Sequence, residues 1–242
     1  MKLSEATWTE VRDADVDVAF LPVGSTEQHG PHAPLGTDAL AAETVADEAA
    51  GRASAADVEV AVAPPVHVGV SEEHRRFDGT LWVSPETFRA YVRETIESLA
   101  FHGVDRVVVV NGHGGNVEAL AEATRRVSRD DDVDAYAVAF TWFEAVGDHA
   151  GDMGHAGKLE TSLLRELAPD LVREERVDAA RDGAAARWGE WVRGVNLSHD
   201  SDEFSENGVV GDPTAGDADL GEELLDRASD ALVDVAAAVV DR

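Results

Sequence analysis

Apolar positions along the chain come in two kinds of run. "VDVAFLPVG" (16–24) and "RVVVVNG" (106–112) are almost continuous in apolar residues, as strands covered on both faces should be. "VEVAVAPP" (58–65) predicts a third strand, stopped by two prolines that lack an N–H. "DAYAVAF" (134–140) predicts a fourth. Between them the pattern turns helical. "TDALAAETVADEAAGRA" (37–53) predicts a helix with Thr37 or Asp38 near its N-cap. The stretch 84–103 carries clear end signals: Ser84 as N-cap, Pro85 at the first helical position and Gly103 as stop. Further helices are expected over about 116–129, over 159–167 before Pro169, and over 221–240. Strands alternating with helices, the strands themselves buried, predict an α/β fold: a three-layer α/β/α sandwich with a mostly parallel central sheet. No repeat or Pro/Ser-rich linker interrupts residues 1–242, which are therefore expected to form one domain.

Composition refines this picture. Hydrophobic residues make up 44% of the 242, enough for a sizeable core, and much of that share is Ala and Val, so the core should use small side chains. There is no apolar run of about 18 residues, and "MKLSEATWTE" lacks a signal peptide's apolar centre; a soluble, cytoplasmic protein with no membrane partner is expected. With no cysteine, any metal must be held by His, Asp and Glu. Acidic residues outnumber basic ones 49 to 20, for a formal charge of −29. The acid is spread over "DADVD" (13–17), "RDDDVD" (129–134) and "DADLGEELLD" (217–226), which suits a halophilic surface screened by counterions better than one acidic tail. The same field repels nucleic acid, so no such partner is expected.

Three polar segments stand out. "STEQHGPHAPLGTD" (25–38) leaves the first strand with Glu27, His29 and Asp38, donors suited to Zn, Mn or Fe(II). The same residues can be read as a turn whose carboxylates cap helices, Asp38 in particular. "NGHGGN" (111–116) frames His113 with turn formers at the end of the third strand. It is either a ligand loop or a strand-to-helix turn capped by Asn116, and the P-loop Lys is missing. "GDMGHAGKLETS" (151–162) offers His155 in a Gly-rich loop and Glu160 at the start of a helix, where a carboxylate also complements the helix dipole. The first two segments both begin at the carboxyl end of a strand, where α/β folds build their sites. "EEHRRFDGT" (72–80), with His74, reads as a rim over that site or as a surface loop, and "NGVVGDPTAGDADLGEEL" (207–224) places Gly208 and Gly211 in tight turns near a pocket or interface.

Taken together, "GSTEQHGPHAPLGTD", "EEHRRFDGT", "NGHGGN", "HAGKLETS" and "GVVGDPTAG", in this order, resemble the creatininase family of metal-dependent amidohydrolases. The resemblance implies a three-layer α/β/α domain, assembly into homo-oligomers, often hexamers, and two divalent ions (Zn, Fe(II) or Mn) per subunit. Carried over to this chain, Glu27 and His113 would serve one metal, His29 the other, Asp38 would bridge, and Glu160 would supply the remaining carboxylate. His155 would be the acid/base group, and His74, Trp142 and Gly114 would contact a small-molecule substrate. Read from its place after the strand at 134–140, Trp142 fits core packing almost as well as pocket lining, and Arg75, Arg76 and Lys158 are either cations for a phosphate or ordinary surface charge. His32 would be a rim or structural histidine. Creatinine-cleaving members carry glutamates where this chain has Gly115 and Gly154, which turns the expectation away from creatinine. It points first to a formylaminopyrimidine ribonucleotide deformylase of flavin/deazaflavin biosynthesis, and next to a peptidase-like branch that matures a redox-cofactor precursor peptide. A non-catalytic metal-binding scaffold is the alternative of another class.

Overall fold

A computed structural model describes residues 1–242. Its helices are α1 (Trp8–Asp13), α2 (Thr37–Ala53), α3 (Pro85–Phe101), α4 (Val117–Val127), α5 (Lys158–Leu167), α6 (Val177–Asp182) and α7 (Ala218–Val240). The central sheet has four strands, β1 (Val18–Val23), β2 (Val60–Val62), β3 (Arg106–Asn111) and β4 (Tyr136–Thr141), in the order β2-β1-β3-β4 and parallel throughout. Two short strands, β5 (Trp191–Val192) and β6 (Val195–Asn196), form a separate antiparallel hairpin.

Alternation along β1 sorts the core into two. Val18 and Phe20, with Val108 and Val110 of β3, face α2, α5 and α7, while Ala19, Leu21 and Val23, with Val107 and Val109, face α3 and α4. This is the expected three-layer arrangement. The inward stripe of α2 is Ala41, Val45, Ala46, Ala49 and Ala53, so that helix approaches the sheet closely, as the Ala and Val content predicted.

Cap signals held where they were strongest. Ser84 Oγ accepts from the Thr87 N–H at 3.2 Å, Pro85 opens α3, and Gly103 follows with φ +91°. Strand β2 is shorter than the apolar run because Pro64 and Pro65 interrupt the ladder, although Val66 resumes it by donating to the Pro22 carbonyl at 2.9 Å. The last helix starts three residues earlier than expected, where the Asp217 side chain accepts from the Leu220 N–H. Helices α1 and α6 and the hairpin were not predicted; none has an apolar period long enough to register.

Two glycines set how closely α2 meets the sheet. A Cβ on Gly24 would overlap the backbone of Asp38 and Ala39, and one on Gly112 would overlap the Asp38 carbonyl oxygen. The N-terminus of α2 is thus pressed against the carboxyl ends of β1 and β3. We expect Gly112→Ala to destabilise the fold by about 1–3 kcal/mol in urea unfolding, the usual cost of overpacking. Gly114→Ala, where nothing lies near the added carbon, should stay within about 0.5 kcal/mol; equal effects would refute the close-approach account. The charge of −29 generates a second expectation. Screening of surface self-repulsion should raise Tm as NaCl is increased into the molar range, and a flat or falling Tm would count against it.

Candidate metal centre

Three chain segments converge beyond the carboxyl ends of β1 and β3. The first leaves β1 at Gly24 and carries Glu27 and His29, pinned by the Glu27 N–H donating to the Leu35 carbonyl at 2.9 Å. Asp38 follows in the first turn of α2. It does not cap that helix: Gly36 holds the cap position without a side-chain bond, and the Asp38 carboxylate turns inward. The second segment follows β3. Asn111 donates through Nδ2 to the His113 carbonyl and accepts from the His113 N–H, a closed turn that projects the imidazole. Asn116 does not cap α4 either. It ties three segments together, accepting from the Val70 N–H at 2.9 Å and donating to the Gly24 carbonyl at 3.1 Å. The third segment supplies His155 and Glu160, with Ala156 between them in the left-handed region at φ +51°.

The side chains form interlocking groups. Glu27, Asp38 and His113 make one: His113 Nδ1 lies 3.2 Å from both Glu27 Oε1 and Asp38 Oδ2. His29, Asp38 and Glu160 make a second, with His29 Nε2 3.0 Å from Asp38 Oδ1 and 3.7 Å from Glu160 Oε1. Asp38 belongs to both, one oxygen to each. A third group, Glu27, His29 and His155, is looser; His155 Nδ1 is 3.6 Å from Glu27 Oε1. The far ring nitrogens are all engaged with backbone carbonyls. His113 Nε2 donates to Val70 at 2.8 Å, His29 Nδ1 to Glu27 at 3.2 Å and His155 Nε2 to Gln28 at 2.6 Å. Each of these bonds leaves the other ring nitrogen facing the cluster, the usual second partner of a ligating histidine. Glu160 is held on one oxygen by the Ala156 N–H, leaving the other for the cluster.

Glu27, His29 and Asp38 are essentially inaccessible to solvent. Both carboxylate oxygens of Glu27 and of Asp38, together with His29 Nε2, have no hydrogen-bond partner despite the short distances. Buried, unpartnered anionic oxygens cost several kcal/mol each unless a cation compensates them, so the donor set fits divalent ions ligated by His and carboxylate. The protonation equilibria tell the same story. Burial pushes the Glu27 carboxyl up to about 7 against the pull of His113. Burial also disfavours charge on His29 and His113, yet the facing carboxylates hold both well above the usual imidazole range. Asp38, between them, stays ionised well below the usual carboxylate range although burial opposes this.

A cavity of about 700 Å³ opens above the cluster. His74, His113, Gly114, His155 and Glu160 line it, together with Glu73, Phe143, Arg187 and Trp188. His74 and His155 stack with ring centroids 4.3 Å apart, and the Trp188 edge meets them at 5.5 and 6.2 Å. Burial holds His155 neutral, with its pKa lowered to about 4, and burial together with the neighbouring His155 also holds His74 well below the usual imidazole range.

Several expected residues lie elsewhere. Trp142, expected against the substrate, is fully buried in the core with α2, α5 and α7, because the chain turns at the end of β4 and carries the indole under the sheet. Arg75 and Arg76 pair with Asp200 at 2.9 and 3.6 Å, and Lys158 pairs with Asp152 at 2.7 Å, so these cations are engaged rather than aimed at a ligand. His32 is structural, not a rim group: it is buried, with Nε2 2.9 Å from Thr161 Oγ1. Arg187, Trp188 and Gln28 were missed. The first two sit in a loop with no periodic pattern, and Gln28, a neutral amide between Glu27 and His29, carries no ligand or acid/base signal of its own. The glycines that set this chain apart also gain a reason. A Cβ on Gly115 would overlap the Val70 carbonyl and the His113 ring, and one on Gly154 would overlap the Val210 carbonyl.

Comparison with known proteins adds what geometry cannot. The family model Creatininase (creatinine amidohydrolase) matches residues 4–236. The mycofactocin precursor peptide peptidase of Mycobacterium ulcerans is 39% identical over 210 residues, 85% of this chain and 79% of that protein. The creatinine amidohydrolase of Pseudomonas putida is 33% identical over 199 residues, 72% and 75% of the two chains. The 2-amino-5-formylamino-6-ribosylaminopyrimidin-4(3H)-one 5'-monophosphate deformylase of Methanobrevibacter smithii is 23% identical over 221 residues, 89% and 88% of the two. Among solved structures, a creatininase in its Mn form superposes with TM-score 0.79 at 27% identity, covering 97% of this chain and 96% of that one. A Zn–Zn form superposes equally well. With the family model spanning nearly the whole chain, this protein belongs to the creatininase family of metal-dependent hydrolases.

Proposed function

We propose that this chain hydrolyses an amide bond in a peptide, in the manner of a precursor-peptide peptidase. The observation that carries the reading is the pair of buried His/carboxylate groups sharing Asp38 at the floor of a cavity of about 700 Å³. Its peptide character is supported by 39% identity to a peptidase of a modified precursor, against 33% to a creatinine amidohydrolase and 23% to the deformylase. The formylaminopyrimidine branch, expected first from the motifs, gains no specific support. The three cations suggested for its phosphate are bound to carboxylates. Gly115 and Gly154 leave no room for the glutamates of creatinine-cleaving members.

In this reading Glu27, His113 and Asp38 would hold one divalent ion, and His29, Glu160 and Asp38 the other. Such ions supply Lewis acidity, polarising a carbonyl and making a water acidic near neutral pH. The rest falls to the chain. His155, neutral and with Nδ1 free of hydrogen bonds, takes a proton from the attacking water and returns it to the leaving nitrogen as the C–N bond breaks. Carboxylic acid and amine then account for every atom of amide plus water. Trp188 and Phe143 flank the cavity and exclude water from one side of the reacting bond.

Metal analysis tests the assignment. The purified chain should hold about two ions, Asp38→Ala should lose both, and His113→Ala should keep about one; full metal content in both variants would refute it. Ligation requires neutral imidazoles, whereas the carboxylates raise the pKa of His29 and His113. Metal affinity should therefore fall as pH falls, read as ion release in a dialysis series. For the substrate, a panel of short peptides, creatinine and a formylaminopyrimidine nucleotide should show turnover of peptide, lowered about 10²–10⁴-fold by His155→Ala. Preferential turnover of either other compound overturns the peptide reading.

A further inference from the structure

Gln28 lies between two candidate ligands, is 5% exposed, and touches His74 and His155, two of the three histidines that line the cavity. Its amide orientation is fixed by two bonds. Oε1 accepts from the Gly30 N–H at 2.8 Å, and Nε2 donates to the Gly208 carbonyl at 3.0 Å. A flipped amide would set a carbonyl against a carbonyl and an N–H against an N–H. The second hydrogen on Nε2 then points at His74 Nδ1, 2.9 Å away. That nitrogen must accept, so the His74 proton sits on Nε2, on the cluster side, 3.5 Å from Glu27 Oε1. Ser201 Oγ, 3.0 Å from the same Nδ1, is also able to donate, and its alternative partner is the Glu73 carbonyl at 3.1 Å. The backbone of Gln28 acts in the opposite sense on His155. Its carbonyl, 2.6 Å from His155 Nε2, takes a hydrogen bond there and leaves Nδ1 unprotonated.

We infer that Gln28 is a positioning residue that holds the stacked pair His74 and His155 in opposite tautomers, one presenting an N–H to the cavity and the other a lone pair. The inference rests on the amide-hydrolysis reading for its use. His155 accepts the proton of the attacking water, while the His74 Nε2–H hydrogen-bonds the carbonyl oxygen as negative charge develops on it. One residue setting both rings explains a glycine that the motifs left unassigned. Gly208 has φ +81°, and a Cβ there would overlap the Gln28 amide. The "GVVGDPTAG" segment therefore serves as the backstop of Gln28, and the amide has no room to rotate away from His74.

The test uses the full-length, zinc-loaded chain with ¹⁵N-labelled histidine and reads ring-nitrogen protonation by NMR. In the unmodified protein, His74 should show an unprotonated Nδ1 and protonated Nε2, and His155 the reverse. Gln28→Glu keeps the shape but can only accept at His74, so it should move the His74 proton to Nδ1. His155 should be unchanged, because its partner is backbone. Gln28→Leu should leave His74 a mixture set by Ser201, and Ser201→Ala should leave the His74 tautomer as it was. With zinc content retained, Gln28→Glu and Gln28→Leu should lower kcat for a short peptide about 10²-fold while KM changes little. A His74 proton on Nδ1 in the unmodified protein overturns the inference without any variant having to fold. So does a His74 ring that follows Ser201→Ala and ignores Gln28→Glu. If the tautomers are as stated and no peptide is hydrolysed, the positioning role stands and the peptide reading fails.

Discussion

Everything at this site follows from one arrangement: the Asp38 carboxylate, buried, with His29 on one oxygen and His113 on the other. Those histidines come from the ends of two adjacent strands, and the carboxylate comes from the helix pressed against both. A carboxylate in that place is costly in an apolar surrounding, and the surrounding structure is built to hold it there. Gly24 and Gly112 let the helix approach, Asn116 ties the strand ends to each other, and the histidines donate from their far ring nitrogens to the Glu27 and Val70 carbonyls. The cluster is thereby positioned by sheet geometry, the placement a metal site built on rigid elements needs.

Much of this was legible in the sequence because it is local. The buried strands wrote themselves as Val-rich runs, α3 as Ser84-Pro85 at one end and Gly103 at the other, and the candidate ligands as histidines and acids placed just past a strand. Asp38 was ambiguous for a physical reason. An aspartate in a first helical turn is as good a cap as a ligand, and only the position of His29 and His113 decides. Trp142 was ambiguous because an aromatic following a strand looks alike whether it turns toward the cavity or under the sheet. Arg187 and Trp188 were illegible, since neither periodicity nor spacing links residue 188 to residue 155. Gln28 was hidden differently. Its function lies in contacts with residues 74, 155 and 208, which no local pattern expresses.

The two glycines at 115 and 154 illustrate how a departure from a family pattern is best understood. In sequence they look like deletions of two carboxylates. In the fold they are places where backbone carbonyls, those of Val70 and Val210, occupy the space a side chain would need. The difference is one of loop packing as well as of charge, so restoring a glutamate alone would not recreate the other members' site.

The segment that carries Trp188 and the β5–β6 hairpin lies outside the three layers and is fastened by a few polar contacts, the Arg75–Asp200 pair and the Ser201–His74 contact among them. Floor and wall are therefore separable inheritances. The floor is welded to the hydrophobic core and changes only at the cost of folding. The wall sits on its edge, meeting the site through Trp188 against His74 and His155. A family built this way keeps one hydrolytic reaction while exchanging the molecules it acts upon.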